Sequence, residues 1–319
     1  MTSSAQSLSA AKLFQSKAGF QRRKITNTVM LAVTGLLTIV ALIPLVWIIV
    51  YVIYKGIQYI NLAFFTQMPR PLGMPGGGVL NAIEGTIVLT FLAALFSIPP
   101  AILAAIYAAY RPNSPLGIAA RFSTDVLSGV PTIIIGIFCY GLIVKPQGHY
   151  SAFAGGVALA IVMFPIIVRT TEEMIKLVPH PLREGSLALG AAEWKTSLSV
   201  VLPAAANGII TGILLGLARA SGETAPLLFT ALGNENYNIN NIIRSGMASH
   251  QGPFEIMKRI FSSPVDSLPL TLYKYSQQPF PERVNQAWAA ALVLMAFVLV
   301  VNIASRLYTQ RRTSQLQGK

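Results

Sequence analysis

Apolar residues run along this chain in six long stretches, at 29–54, 86–110, 126–144, 152–168, 203–231 and 287–305. Each fits a membrane helix, which needs roughly 17–25 mostly apolar residues. The pattern predicts an all-α, polytopic membrane protein with six spans. The second stretch holds Pro99-Pro100, which predicts a kink. In the fifth, Gly208, Gly212 and Gly216 recur at every fourth position, a stripe that lets another helix approach closely. Only the fifth is interrupted by charge: "ARASGETAPLLF" puts Arg219 and Glu223 inside it. Polar pieces separate the runs. Residues 1–28 form a basic, Ser/Gln-rich leader expected to be loosely ordered, and 309–319 a basic tail. The spans and their links fill 29–308, with a loop at 172–203 and a long extramembrane segment at 233–286. Within that segment "SLPLTLYKYSQQP" reads as a short amphipathic element lying against the outer face.

Composition supports the reading. Hydrophobic residues make up 53% and charged residues 11% of the 319, well under the ~25% charge of a soluble protein. Lys and Arg number 24 against 11 Asp and Glu, a net charge of +13. In a soluble chain that excess suggests nucleic acid. Here the cations cluster beside apolar runs, so topology accounts for them and no nucleic-acid partner is expected. The partner they imply is membrane lipid. Cys139, the only cysteine, excludes an internal disulfide and a cysteine-based metal site. The first apolar run follows a long basic leader and is too long for a cleavable signal.

Flanking charge orients the spans. Lys12, Lys17, Arg22, Arg23 and Lys24 precede the first, and Arg306, Arg311, Arg312 and Lys319 follow the last. Six spans put both ends on one side, and the positive-inside rule makes it the cytoplasm. The loop with Lys176, Arg183 and Lys195 is then inside, and 233–286 outside.

The inner loop is patterned. In "PHPLREGSLALGAAEWKTSLSVVLP", Leu182, Leu187, Leu189, Trp194, Leu198 and Val201 follow a roughly helical spacing, and Gly190 sits where one short helix turns into another. Such a hairpin is either a docking element or an interfacial helix lying on the bilayer. Glu184, Gly190 and Leu202-Pro203 fit the EAA-loop pattern of bacterial ABC importer permeases. Further stretches narrow the resemblance: "GGGVLNAIEGTIVLT", "LSGVPTIIIGIF", "FPIIVRTTEEMIKLVPHPLREGSLALGA", "LARASGETAPLLFTA" and "SLPLTLYKYSQQP". Over about residues 76–305 the chain resembles the PstA-type permeases of phosphate-specific ABC importers. The chain departs from the pattern at Gly185 and Ser186, where the loop has alanines, and at Glu84, where an apolar residue is expected and which reads as facing water.

The resemblance implies a MetI-like permease architecture and half of a phosphate path. It implies a PstC-like second permease, a dimer of ATP-binding subunits and a periplasmic phosphate-binding protein. It assigns ATPase coupling to Arg183, Glu184, Leu187 and Gly190. ATP and Mg belong to the partner ATPase, and no cofactor is expected on this chain. The residues agree: a phosphate-cradling loop needs Gly-x-x-x-x-Gly-Lys-Ser/Thr, and the nearest stretch, "GAAEWKT", has Trp194 in place of the second glycine.

The candidate chemistry lies in the spans. Arg219 and Glu223 are four apart and predicted to share a helix face. Arg219 lies about 24 Å along the helix from Pro203 at ~1.5 Å per residue. The pair is either a site on an anion path, where a guanidinium suits phosphate, or a buried ion pair that sets helix register. Arg169 is the second candidate, with Thr170 and Thr171 as hydroxyl donors; its alternative role is interfacial snorkelling. Glu172 and Glu173 would repel an anion and are expected to face the ATPase or pair with Lys176. Backbone opening at Gly129-Val130-Pro131 and at Gly222 would expose N–H groups to an anion. His149, His180 and His250 fall in separate loops, which argues against a metal or proton-relay site. An ion-coupled transporter would show matched broken helices in two halves, whereas one interrupted span is found here. A membrane-embedded enzyme would need converging catalytic groups that are lacking. Sulfate or molybdate remain open as alternative oxyanions.

Overall fold

The computed structural model describes residues 17–316 apart from position 75. It divides into two units, residues 1–54 and 55–319. Most of α1 (Lys17–Gly56) makes up the first. It is apolar around its whole circumference and leaves Leu31, Leu36 and Trp47 uncovered, as a helix facing lipid requires. Its first turns carry Arg22, Arg23 and Lys24, so residues 17–28 of the leader are helical rather than loose. Residues 1–16 and 317–319 lie outside the described residues.

The second unit opens with the short α2 (Leu62–Thr66) and is a helical bundle built on α3 (Leu80–Tyr110) and α6 (Ala152–Lys176). Leu89, Leu92, Leu159, Met163 and Ile167 fill the seam between them. Gly155 and Gly156 permit the approach: a Cβ on Gly156 would stand 2.4 Å from Leu92 Cβ. The other long helices are α9 (Leu202–Ser221) and α14 (Pro281–Leu316). The glycine stripe of α9 meets α6 as predicted. Added Cβ atoms at Gly208, Gly212 and Gly216 would collide with Met174, Thr170 and Met163. The described residues hold only an isolated bridge, Leu232 to Val265, and no strand.

Two predicted spans are broken. The run at 126–144 is not one helix: α4 (Pro115–Gly129) and α5 (Thr132–Cys139) meet at 107°. Pro131 has no N–H to continue a helix and drives Val130 into an extended conformation (φ −74°, ψ 128°). The chain continues from α5 through a π-helical turn at Tyr140–Val144. The fifth span begins earlier than predicted and ends sooner. A continuous helical path from Glu193 reaches Ser221, and a separate short helix, α10 (Ala225–Thr230), follows. Among the described residues five helices are long and apolar enough to cross a membrane, six if the bent pair counts as one span.

The segment 233–286 forms α11 (Ile239–Ala248), α12 (Pro253–Ser262) and α13 (Leu268–Ser276). It does not merely lie against the bundle. Leu270, Thr271 and Tyr275 of α13 are fully buried, and the Leu268 N–H donates to Thr86 Oγ1 of α3 at 2.9 Å. Asp266, fully buried, accepts from Lys274 (3.1 Å) and Asn81 (3.4 Å). Glu84 does not simply face water: its Oε2 accepts from the Ile239 N–H at 2.8 Å, capping the start of α11.

Candidate substrate path and coupling hairpin

Arg219 occupies the last turn of α9, and Glu223 lies beyond the helix end. The two therefore do not share a helix face. Their side chains still meet, Nη2 to Oε1 at 3.3 Å, across the break at Gly222. Arg219 stays 55% exposed and Glu223 16% exposed, so the pair is not a sealed internal ion pair.

Arg219 lines a cavity of about 210 Å³ together with Ser128, Val130, Thr132, Pro165 and Ile166. The cavity thus sits at the bend between α4 and α5. The N-cap of α5 is Pro131, whose side chain makes no cap, so the helix presents uncapped amides there. Ser128 lines the cavity but donates its hydroxyl proton to Thr124 O at 2.8 Å, so it must give up that bond before it can donate to an anion. A guanidinium, the Thr132 hydroxyl and a helix N-terminus around one small space can receive a tetrahedral oxyanion.

Arg169 is one turn of α6 beyond Pro165, roughly 6 Å along the axis at ~1.5 Å per residue. Its Nε donates to Glu173 Oε1 at 2.9 Å, and its Nη1 is 3.8 Å from Asp125 Oδ1 on α4. Arg169 therefore follows the Arg219 cavity along the same α4–α6 face, held by two carboxylates. Thr170 and Thr171 are not brought there. Thr170 donates to Ile166 O at 2.8 Å and presses on Gly212 of α9, while Thr171 is fully buried.

Glu172 turns inward. Its side chain is 4% exposed and its Oε1 accepts from Arg121 (2.6 and 2.7 Å) and Lys176 (2.5 Å). Arg121 also donates to Ala108 O at 2.8 Å, so one guanidinium joins α3, α4 and α6. The sequence left Glu172 either facing the ATPase or pairing with Lys176; the structure pairs it with Lys176, four residues on, and adds Arg121, 51 residues away, which the sequence did not signal. Sequence reasoning also missed Asp125, Ser128 and Thr132; Pro131 was the only local sign that they face a break. The described residues contain no group of three or more potential metal ligands.

The loop at 172–203 is a helical hairpin. α7 (His180–Ala188) carries Arg183, Glu184 and Leu187, and buries none of its residues. Gly190 turns the chain in the left-handed region (φ +83°), and its N–H donates to Leu187 O at 2.9 Å. The return arm, α8 (Glu193–Thr196), passes through a π-helical turn at Ser197–Val201 into α9. Ser186 Oγ and Thr196 Oγ1, 2.9 Å apart, tie the two arms. Leu189 (90% exposed), Trp194 (68%), Leu182 and Leu198 stay uncovered on one small hairpin.

The hairpin and the segment 233–286 lie at opposite ends of the bundle. Tyr110 at the end of α3 meets Arg183, while Glu84 and Thr86 near its start meet Ile239 and Leu268.

Comparison with known proteins decides the family. Residues 101–314 match the family described as binding-protein-dependent transport system inner membrane component. The phosphate transport system permease protein PstA of Yersinia pestis is 38% identical over 291 residues, covering 91% of each chain. That of Haemophilus influenzae is 39% identical over 92% of this chain and 97% of its own. The chain belongs to the PstA family of transport-system permeases. It is a transport subunit rather than an enzyme, and an inner-membrane component by family. A probable PstA from Methanocaldococcus jannaschii is also 38% identical, over 89% of this chain. The fold matches a permease of a bacterial alginate ABC transporter (TM-score 0.58, 16% identity, 91% and 97% of the two chains). It also matches the MetNI methionine ABC transporter (TM-score 0.53, 16% identity, 73% and 95%).

Proposed function

We propose that this chain is half of the membrane path of an ATP-driven phosphate importer, and that Arg219 meets the ion. The observation that carries the reading is the cavity at the α4–α5 bend, where Arg219 joins Ser128, Thr132 and the start of α5. The names of the family's close relatives supply phosphate. The guanidinium supplies the chemistry, because it stays charged at any working pH and donates in a fork. Glu223 holds Arg219 until the anion competes for it. Arg169 is the next station, and its bonds to Glu173 and Asp125 must loosen for an anion to pass. Thr170 and Thr171 support the α6 wall rather than the ion.

Arg219 is more than half exposed in the single chain, which leaves room for a PstC-like partner permease to close the other side. The hairpin with Arg183, Glu184, Leu187 and Gly190 docks on a dimer of ATP-binding subunits, where ATP and Mg are used. Its uncovered Leu189 and Trp194 fit that role. A periplasmic phosphate-binding protein docks at the opposite end. Both termini are cytoplasmic, in the inner membrane.

Two measurements test the reading. Gentle purification of the chain from its own membrane should bring an ATPase and a second permease with it. Vesicles holding that complex and its binding protein should accumulate labelled phosphate on ATP addition, and excess sulfate or molybdate should not compete. Uptake driven by an ion gradient without ATP would refute the class, and competition by sulfate would refute the substrate.

A further inference from the structure

The hairpin end holds a second polar cavity, separate from the one at Arg219. It measures about 310 Å³ and lies between α7 and the ends of α3 and α6. Ile175 and Val201 contribute an apolar floor, and Tyr110, Lys176, His180 and Arg183 its polar lining. Arg183 is partly buried with its guanidinium over the Tyr110 ring, 4.3 Å from the centroid. No carboxylate among the described residues lies within ion-pair reach of it. The Tyr110 hydroxyl oxygen is buried and meets no hydrogen-bond partner. Lys176 shares its carboxylate, Glu172, with Arg121. The lining therefore carries two cations, Lys176, paired with Glu172, and Arg183, which has no ion-pair partner among the described residues. A stacked, charged Arg without a counter-ion, beside an orphaned buried hydroxyl, is half of an anion site.

We propose that this cavity binds a phosphate group at the hairpin end, held by Arg183, His180 and the Tyr110 hydroxyl. Stacking on Tyr110 pre-orients the guanidinium, so its fork meets two oxygens with little ordering left to do. The hydroxyl gains the partner that it lacks. The bound group bridges α7 to the end of α3, and so holds the hairpin in a defined position. The open rim and apolar floor admit two sources of the same chemistry: free inorganic phosphate, or the headgroup of an anionic phospholipid.

The test uses the full chain carrying Arg219→Gln, so that the substrate path does not contribute binding. One arm measures binding of labelled inorganic phosphate to this protein in uncharged detergent. The other counts phosphatidylglycerol retained per chain after delipidation from phosphatidylcholine–phosphatidylglycerol vesicles. Saturable binding of one ligand per chain in the first arm identifies the free ion; in the second, the headgroup. Whichever arm is positive, adding Arg183→Gln should weaken it by about 10- to 100-fold, the worth of a lost hydrogen bond to a charged group. Tyr110→Phe, which keeps the ring, should weaken it less. Arg183→Lys restores charge without the fork and should recover part of the loss, which separates lost ligand from lost fold. Two empty arms, unchanged binding in Arg183→Gln, or no recovery in Arg183→Lys each overturn the proposal.

Discussion

Glu172→Gln is expected to weaken the junction of α3, α4 and α6. The carboxylate is 4% exposed and accepts two contacts from Arg121 and one from Lys176, all within 2.7 Å. Removing one member of a fully buried ion pair costs about 3–5 kcal/mol, because the other charge is stranded. Here the survivors are not fully buried: Arg121 is 28% exposed and Lys176 50%. Water reaches both cations, and Arg121 keeps its bond to Ala108 O. Glutamine also retains an acceptor oxygen. About 2 kcal/mol is the appropriate magnitude, worth about 3 °C in midpoint for a chain of this size. Thermal unfolding of the detergent-solubilised chain, followed by helical circular dichroism, measures it. A cycle with Arg121→Gln isolates the pair. If the double variant loses no more than Glu172→Gln alone, the two residues act through each other. An unchanged midpoint, or losses that simply add, would refute the clamp.

The remaining predictions concern packing and topology. Gly212→Ala should cost about 1–3 kcal/mol by overpacking, since its Cβ would stand 2.0 Å from Thr170 Oγ1. Thr170→Ala should partly rescue it and by itself leave phosphate uptake near normal; loss of uptake would return Thr170 to the path. Gly185→Ala meets open space in α7 and should stabilise the hairpin by up to ~1 kcal/mol, read as slower proteolysis of the loop. With Cys139→Ser, a cysteine at Ser249 or Ser276 should react with an impermeant thiol reagent on intact spheroplasts. One at Ser199 should react only after lysis, and the opposite pattern would invert the orientation.

The long runs of apolar residues and the glycine stripe made the spans legible, because length and small-residue spacing are local properties. The hairpin was equally readable, through its helical spacing and the left-handed turn at Gly190. The breaks were only half visible. Pro131 and Gly222 marked weak points, but hydropathy carries no record of a 107° bend. This is why the count of one interrupted span fell short of the two observed. Partners distant in sequence were the hardest. Arg121 reaches Glu172, and Glu84 reaches Ile239 across 155 positions, so neither contact leaves a periodic trace. Neighbours in sequence also misled: Thr170 stands beside Arg169, yet the helical rotation between them turns it to α9.

Labelled phosphate uptake by cells carrying Arg219→Gln, measured beside basal ATP hydrolysis of the assembled complex, addresses the path most directly. The cavity geometry predicts that uptake is abolished while assembly and hydrolysis persist, because Arg219 lines the space and its removal leaves no guanidinium there. Near-normal uptake in that variant would contradict an anion path through Arg219, and would leave its contact with Glu223 as a structural tie across the end of α9.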